Sequence, residues 1–484
     1  MSNIKKNFLY SSIQTTANYI FPLLTYPYVS RILGVTNIGI CNFIDSVINY
    51  YILFSLMGIT ILGIRSIATA KDNERELSDK FSFIFWLNTI STAIILLLLL
   101  ASIFFIPKLY AYKSLMIMGG IKVMFNYLSI DWFYKGLEDF KYIMTRGLIV
   151  RFLYVISIFI FIKNAGDYQL YYFLSVMMIV ILGIINFGHS FKITKLHLTF
   201  SLSRNKAIVK SFFTLGFYLI LTSMYTTFNV TYLGFVCGET EVGYYTTATK
   251  LHTILLGIFT AFTGVMLPRM SSLIHNGEIG VFNQLLEKSF HILLFFSIPL
   301  IAFAEIFTPD IISLISGKGY ELAVTPMRII LPLIFIIGYE QIIVIQVLMP
   351  IKKDKAIFVG SCIGAATGLL FNLLLVKKLG STGSAFVWLA SEIAVMIISQ
   401  YFATKYIKIQ FPIIDTIKHT ICVIPAIGIL YAVTKIPCNY ILSLGLGFII
   451  TLLYFGFVYT YIIKDSFIFD IRTSLKNKIF HIIK

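Results

Sequence analysis

The sequence predicts an all-α, polytopic membrane protein: about fourteen transmembrane helices in two pseudo-symmetric lobes around a central cavity. Three observations predict it: the composition, the spacing of the apolar runs, and the side of each run on which cations fall. Of 484 residues, 58% are hydrophobic and 13% are charged. Mean hydropathy is +0.87. Soluble domains carry roughly 25% charge, so this chain has too little polar surface to cover itself in water.

A helix needs about 20 apolar residues to cross a bilayer. Runs of that kind lie near 8–32, 38–64, 80–106, 113–134, 144–163, 167–190, 210–236 and 242–268. Six more follow near 282–304, 322–350, 355–379, 382–405, 413–434 and 439–464. Lys5 and Lys6 precede the first run, and no small-residue cleavage site follows it, so it reads as a span rather than a leader.

The net charge of +17 is explained by topology. With the N-terminus inside, every inner connection is basic. Arg65, Lys71, Arg75 and Lys80 fall on one, and Lys135, Lys141, Arg146 and Arg151 on the next. Cytoplasmic loops are enriched in Lys and Arg in this way. Both termini are then cytoplasmic, and the number of spans is even. Outer loops are short, with no room for an outer catalytic domain. The inner loop near 191–209 and the tail after about 465 are basic. In the tail, Phe467, Phe469, Ile471, Leu475 and Phe480 suit a helix lying on anionic lipid. No phosphate loop or basic aromatic patch speaks for nucleic acid.

A repeat sets the domain organisation. Spans one and two join through Leu33-Gly34-Val35-Thr36-Asn37-Ile38-Gly39, and spans seven and eight through Cys237-Gly238-Glu239-Thr240-Glu241-Val242-Gly243. The offset is 204 residues at both glycines. A shorter echo, Leu379-Gly380-Ser381-Thr382-Gly383, joins spans eleven and twelve. The first glycine suits a turn at positive φ, and the second a close helix approach. Six spans separate the copies, which makes the repeat parallel, with its axis along the membrane normal. The resulting units are 1–209, 210–408, and 409–484 with two added spans and the tail.

Ionisable side chains inside spans are expensive and mark cavities. Asn42, Asp45, Ser46 and Asn49 share one face of span two; Lys122, Asn126 and Ser129 share one of span four; Thr246, Lys250 and Thr253 share one of span eight. Asp45 and Lys250 stand at equal depth in the two halves, so they are candidates for a pair forming a gate or substrate contact. Glu340 and Glu392 read as lone acids deep in spans ten and twelve, as packed structural acids or as ion-coupling groups. Pro22, Pro27, Pro326 and Pro332 should kink their helices. His189, His252 and His291 have no acid at ligand spacing, and the five cysteines form no metal-ligand pattern. No catalytic constellation, metal site or cofactor motif is readable.

The motifs carry a family resemblance. Pro22-Leu23-Leu24-Thr25-Tyr26-Pro27-Tyr28-Val29-Ser30-Arg31-Ile32-Leu33-Gly34 resembles the N-terminal signature of Wzx-type polysaccharide repeat-unit flippases. Asp131-Trp132-Phe133-Tyr134-Lys135-Gly136-Leu137-Glu138 resembles their span-four motif. Glu241 to Lys250, with Pro268-Arg269-Met270-Ser271, resembles their span-eight region. The resemblance covers essentially the whole chain. It implies a MATE-like fold in the multidrug/oligosaccharidyl-lipid/polysaccharide exporter superfamily. It implies no enzyme activity, but alternating-access flipping of undecaprenyl-diphosphate-linked oligosaccharide across the bacterial cytoplasmic membrane, for O-antigen, capsule or exopolysaccharide. Membrane lipids, a polymerase and a chain-length regulator are the implied partners. Arg31, Arg65, Lys122, Lys250 and Arg269 are then the candidate contacts to diphosphate or acidic sugar, and Asp45, Glu340 and Glu392 the gate or coupling groups. A cation-coupled drug exporter would prefer an acidic cavity, and a glycan polymerase a long outer loop.

Overall fold

The computed structural model describes residues 2–197, 205–407 and 409–463, and every regular element among them is helical. The tail residues Phe467, Phe469, Ile471, Leu475 and Phe480, and 198–204 of the basic loop, lie outside the described residues. Ten helices are long and apolar enough to cross a bilayer, or eleven if Glu239–Gly257 and Phe262–His275, bent by 45°, count as one span. The expected fourteen is not fixed by these lengths. Leu9–Ala70 and Asp354–Ile407 are 62 and 54 residues long, where the sequence separates two spans each. The helix over 113–126 has only 14 residues.

The chain divides into two compact units: residues 1–246 with 372–381, and residues 247–371 with 382–484. In the first, α1 (Ser2–Leu56), α2 (Ile59–Ala70), α3 (Glu74–Phe105), α4 (Pro107–Ala111) and α5 (Lys113–Asn126) are followed by α6 (Asp131–Gly136), α7 (Phe140–Phe161), α8 (Tyr168–Ser190), α9 (Lys206–Thr226) and α10 (Phe228–Cys237). Pro22 and Pro27 stay inside a continuous helix; the break in α1 falls instead at Gly34, with φ 75° and ψ 167°. Asn73 caps α3 by accepting from the amides of Arg75 and Glu76, and Asp139 caps α7 through Tyr142. An aromatic core of Phe81, Phe85, Trp132 and Phe133 joins α2, α3 and α6. Gly63 lets the Trp132 ring lie directly on α2, and Gly136 receives Ile67 in return. Leu97, Phe104, Phe105, Phe152 and Leu153 face outward, which suits lipid and not water.

The second unit holds most of α11 (Glu239–His275), then α12 (Ile279–Ser316), α13 (Val324–Ile330), α14 (Leu333–Gln341), α15 (Asp354–Phe371), most of α16 (Lys377–Ile407), α17 (Ile413–Ile421), α18 (Val423–Thr434) and α19 (Tyr440–Phe457). Pro332 separates α13 from α14, as expected of a residue without an amide hydrogen, while Pro326 sits within α13. A π-helical stretch, Ile342–Leu348, continues α14. Phe282, Leu286, Phe290, Leu293 and Tyr339 form the main core. α19 packs on α12, where Gly447 receives the Phe307 ring.

Three glycines separate backbone strain from side-chain collision. Gly34 has positive φ and open space, Gly39 meets the backbone of Glu239, and Gly166 meets nothing. Gly34→Ala should cost about 1–2 kcal/mol from its left-handed φ. Gly39→Ala should cost ~1–3 kcal/mol from overpacking. Gly166→Ala should be neutral. Thermal unfolding of the purified variants checks the order.

Candidate functional site

The helix crossing that the repeat predicts is present and reciprocal. A Cβ on Gly39 would collide with the Glu239 carbonyl, and one on Gly243 with the Val35 carbonyl. Adding 204 to 39 and 35 gives 243 and 239, so each collision is the image of the other. Thr36 hydrogen-bonds Thr240 at 3.0 Å, and Asn42 donates to Thr246 at 2.9 Å; both pairs are 204 residues apart. Gly34 and Gly238 share the same positive-φ turn, at 75° and 96°, and Gly380 has the third at 57°.

One side of this crossing is tied by charge. Lys108 of α4 donates to the Gly234 carbonyl and lies 3.3 Å from Glu239. Burial and the Glu239 carboxylate push the Tyr112 hydroxyl up to about 12, so it remains a neutral donor beside that acid. Glu241 accepts from the Ser381 amide at 2.7 Å, closing the third glycine turn.

Below it, Asp45 binds Lys122 of α5 and accepts from Asn49 at 3.3 Å. The sequence treats Asp45 as a candidate partner for Lys250 and Lys122 as a separate anion contact. The structure instead brings Asp45 and Lys122 together in the first unit. Thr231 donates to Ser46 at 2.9 Å on the same face of α1. Partners for most of this polar stripe are therefore helix–helix hydrogen bonds.

In the second unit Glu340 and Glu392 are not lone acids: the fold brings them within electrostatic reach of each other. Trp388 donates to Glu392 at 2.9 Å, and His252 packs edge-on against Trp388 at 5.0 Å. His252 is fully buried. Sequence reasoning passed over it because its neighbours come from helices remote in the chain.

Of the remaining candidates, Arg31 and Arg65 are exposed in the first unit. Lys250 is half-buried and Arg269 exposed, both on α11 in the second. Arg65 and Arg269 are themselves repeat mates, a signal present in the sequence and not used there. The second unit also contains a cavity of about 480 Å³ lined almost wholly by apolar side chains, among them Phe259, Phe296, Phe303, Phe448, Leu452, Phe455 and Tyr459. Among the described residues no cluster could hold a metal ion.

These features define a helical, multi-pass membrane transporter fold. A solved structure of lipid II flippase MurJ, in an inward closed conformation, superposes with a TM-score of 0.77 over 94% of this chain and 99% of that one, at 18% identity. An inward-facing multidrug resistance MATE family transporter of the MOP superfamily gives 0.62 over 81% and 94%, at 17% identity. A family model described as "Polysaccharide biosynthesis protein" matches residues 4–274. The "Putative O-antigen transporter" of Escherichia coli (strain K12) is 30% identical over 410 residues, 81% of this chain and 94% of that protein. Its namesake in Shigella dysenteriae is 25% identical over 407 residues, 84% of this chain and all of that protein. The chain belongs to the polysaccharide biosynthesis protein family, and the Wzx-type resemblance of its motifs is borne out.

The Asp45–Lys122 pair gives a direct test. Lys122→Ala leaves a partly buried carboxylate without its cation and should lower stability by about 1–3 kcal/mol. Adding Asp45→Asn to Lys122→Ala should recover much of that loss. A double-mutant cycle on thermal unfolding reads the coupling.

Proposed function

We propose that this protein flips undecaprenyl-diphosphate-linked oligosaccharide from the inner to the outer leaflet of the bacterial cytoplasmic membrane by alternating access, with both termini in the cytoplasm. The observation that carries this reading is the contrast of chemistry within one chain. Cations stand on helices of both repeats, while the second unit holds a large apolar cavity. A diphosphate headgroup needs the first, and a polyprenyl tail is accommodated by the second. Family membership and relatives named for O-antigen transport support the same substrate class.

In this reading the lobes are 1–209 and 210–408, with 409–484 appended. Arg31, Arg65, Lys250 and Arg269 contact diphosphate or acidic sugar. Lys122 joins them when Asp45 releases it, which makes Asp45 the gate. The crossing at Gly39 and Gly243 closes the outer side, and the Glu340–Glu392 pair binds the coupling proton. A polymerase and a chain-length regulator use the flipped unit. The chain itself is not an enzyme.

A cation-coupled drug exporter is the second reading, favoured by the paired acids Glu340 and Glu392. Deletion of the gene followed by a leaflet-resolved assay of lipid-linked glycan separates the two. Inner-leaflet accumulation is the expected result. An unchanged leaflet distribution with drug sensitivity supports the exporter, and an unchanged distribution with missing chain extension supports a polymerase. The Glu340→Gln, Glu392→Gln double variant should flip without responding to an imposed proton gradient. A response equal to that of the unaltered protein removes the pair from coupling.

A further inference from the structure

The second unit contains another cavity, of about 280 Å³, whose walls mix polar and apolar side chains. It lies between the first turns of α12, the 407–412 link and the start of α17. Helix α12 has 38 residues. At 1.5 Å per residue it is far longer than the roughly 30 Å of a hydrocarbon core. No acid, lysine or arginine falls between Lys288 and Glu305, so that stretch suits the core and the residues before it stand among headgroups. On α17, Ile413, Ile414, Ile417 and Ile421 are exposed along one face, and Asp415 lies on the other. The cavity therefore sits where lipid meets water. Its acids are accessible: Glu287 is exposed, and the Asp415 side chain is 39% exposed.

The walls are held in place. Gln400 and Thr404 of α16 donate to the Ile409 carbonyl at 2.9 and 2.8 Å, which ties the link to the helix before it. Tyr339 of α14 donates to Gln400. Its ring stacks on Phe290 at 5.2 Å and tilts against Phe411 at 4.8 Å. Phe290 lines the cavity, so that wall is backed by a buried tyrosine. The space is part of the packed fold, not a gap between loose side chains.

The lining selects the ligand. Glu287 and Asp415 border the cavity with the amides of Asn283 and Gln410, and among the described residues no lysine or arginine lines it. Among those residues Glu287 forms no ion pair, and Asp415 pairs with Lys418 at 3.4 Å, a side chain 60% exposed. Two carboxylates repel an anion and attract a cation. A metal ion is a poor match, since no group of His, Cys, Asp and Glu among the described residues could hold one. One water needs about 10–15 Å³, so the space is that of a group of several atoms. An ammonium carries three N–H donors and no acceptor, which suits two carboxylates and two amide oxygens. A quaternary amine has no N–H and is recognised by a cage of aromatic rings, whereas Phe290 and His291 are the only rings among the described lining residues.

We infer that this cavity binds the headgroup of a zwitterionic phospholipid with a primary amine, such as phosphatidylethanolamine. Glu287 and Asp415 take the ammonium, and Asn283 and Gln410 accept its remaining N–H. Lys418, beside Asp415 and outside the lining, meets the phosphate. The isoleucine face of α17 then lies along the acyl chains, and the lipid fastens α17 to α12. The site belongs to the membrane-spanning fold and does not depend on the transported substrate.

The test is native mass spectrometry of the purified full-length protein released from nanodiscs of mixed lipid, counting the lipid it retains. Phosphatidylethanolamine should be retained over phosphatidylcholine at least about tenfold, since a hydrogen bond to a charged group is worth that factor or more. Each N-methyl group added to the headgroup should lower retention. The Glu287→Gln, Asp415→Asn double variant should lose the preference, and Asp72→Asn, at an exposed acid of the first unit, should keep it. Equal retention of the two lipids by the unaltered protein overturns the site, as does a preference that survives the double variant or falls equally in Asp72→Asn. If the double variant does not fold, the N-methylation series on the unaltered protein decides, and retention indifferent to methylation overturns the site. Glycerophosphoethanolamine, the same headgroup without acyl chains, should compete weakly. Competition as strong as that of the lipid makes the occupant a soluble amine and overturns the lipid. None of these readouts involves transport, so the site stands or falls apart from the leaflet assay.

Discussion

In lipid, a polar group has no water to fall back on, and that constraint organises this protein. Backbone groups are satisfied by helix alone. Side chains must find each other, as Asp45 does with Lys122 and Arg146 with Asp131. The first pairing joins α1 to α5, 77 residues apart, and the second joins the consecutive helices α6 and α7. The polar residues are thus the points that fix which apolar helices lie side by side, since apolar faces alone are nearly interchangeable in a membrane.

Much of the architecture was legible in the chain. Composition and charge alternation give the class, and the two glycines of each repeat turn give both the positive φ at Gly34 and Gly238 and the close approach at Gly39 and Gly243. The reason is that glycine has few other uses inside a helix. The number of crossings was less legible, because helices continue through Gly34 and Gly380 and their ends do not mark the membrane boundary. Pro22 and Pro27 lie within one helix, whereas Pro332 separates two.

Pairing was the least legible feature. Equal depth suggested Asp45 with Lys250; depth says nothing about which helix lies next to which, and within the first unit Asp45 pairs with Lys122. Glu340 and Glu392 looked isolated because 52 residues separate two groups that the fold brings within electrostatic reach of each other. His252 lacked a local acid and meets one only through Trp388.

The contacts between repeat mates bear on ancestry. Thr36 with Thr240 and Asn42 with Thr246 are contacts between a residue and its own copy. Two separate half-length chains would make the same contacts as an isologous dimer. Fusion of two copies converts a concentration-dependent association into an intramolecular one, after which each half is free to diverge: Asp45 faces Lys122 in one, while its mate in the other is Thr249.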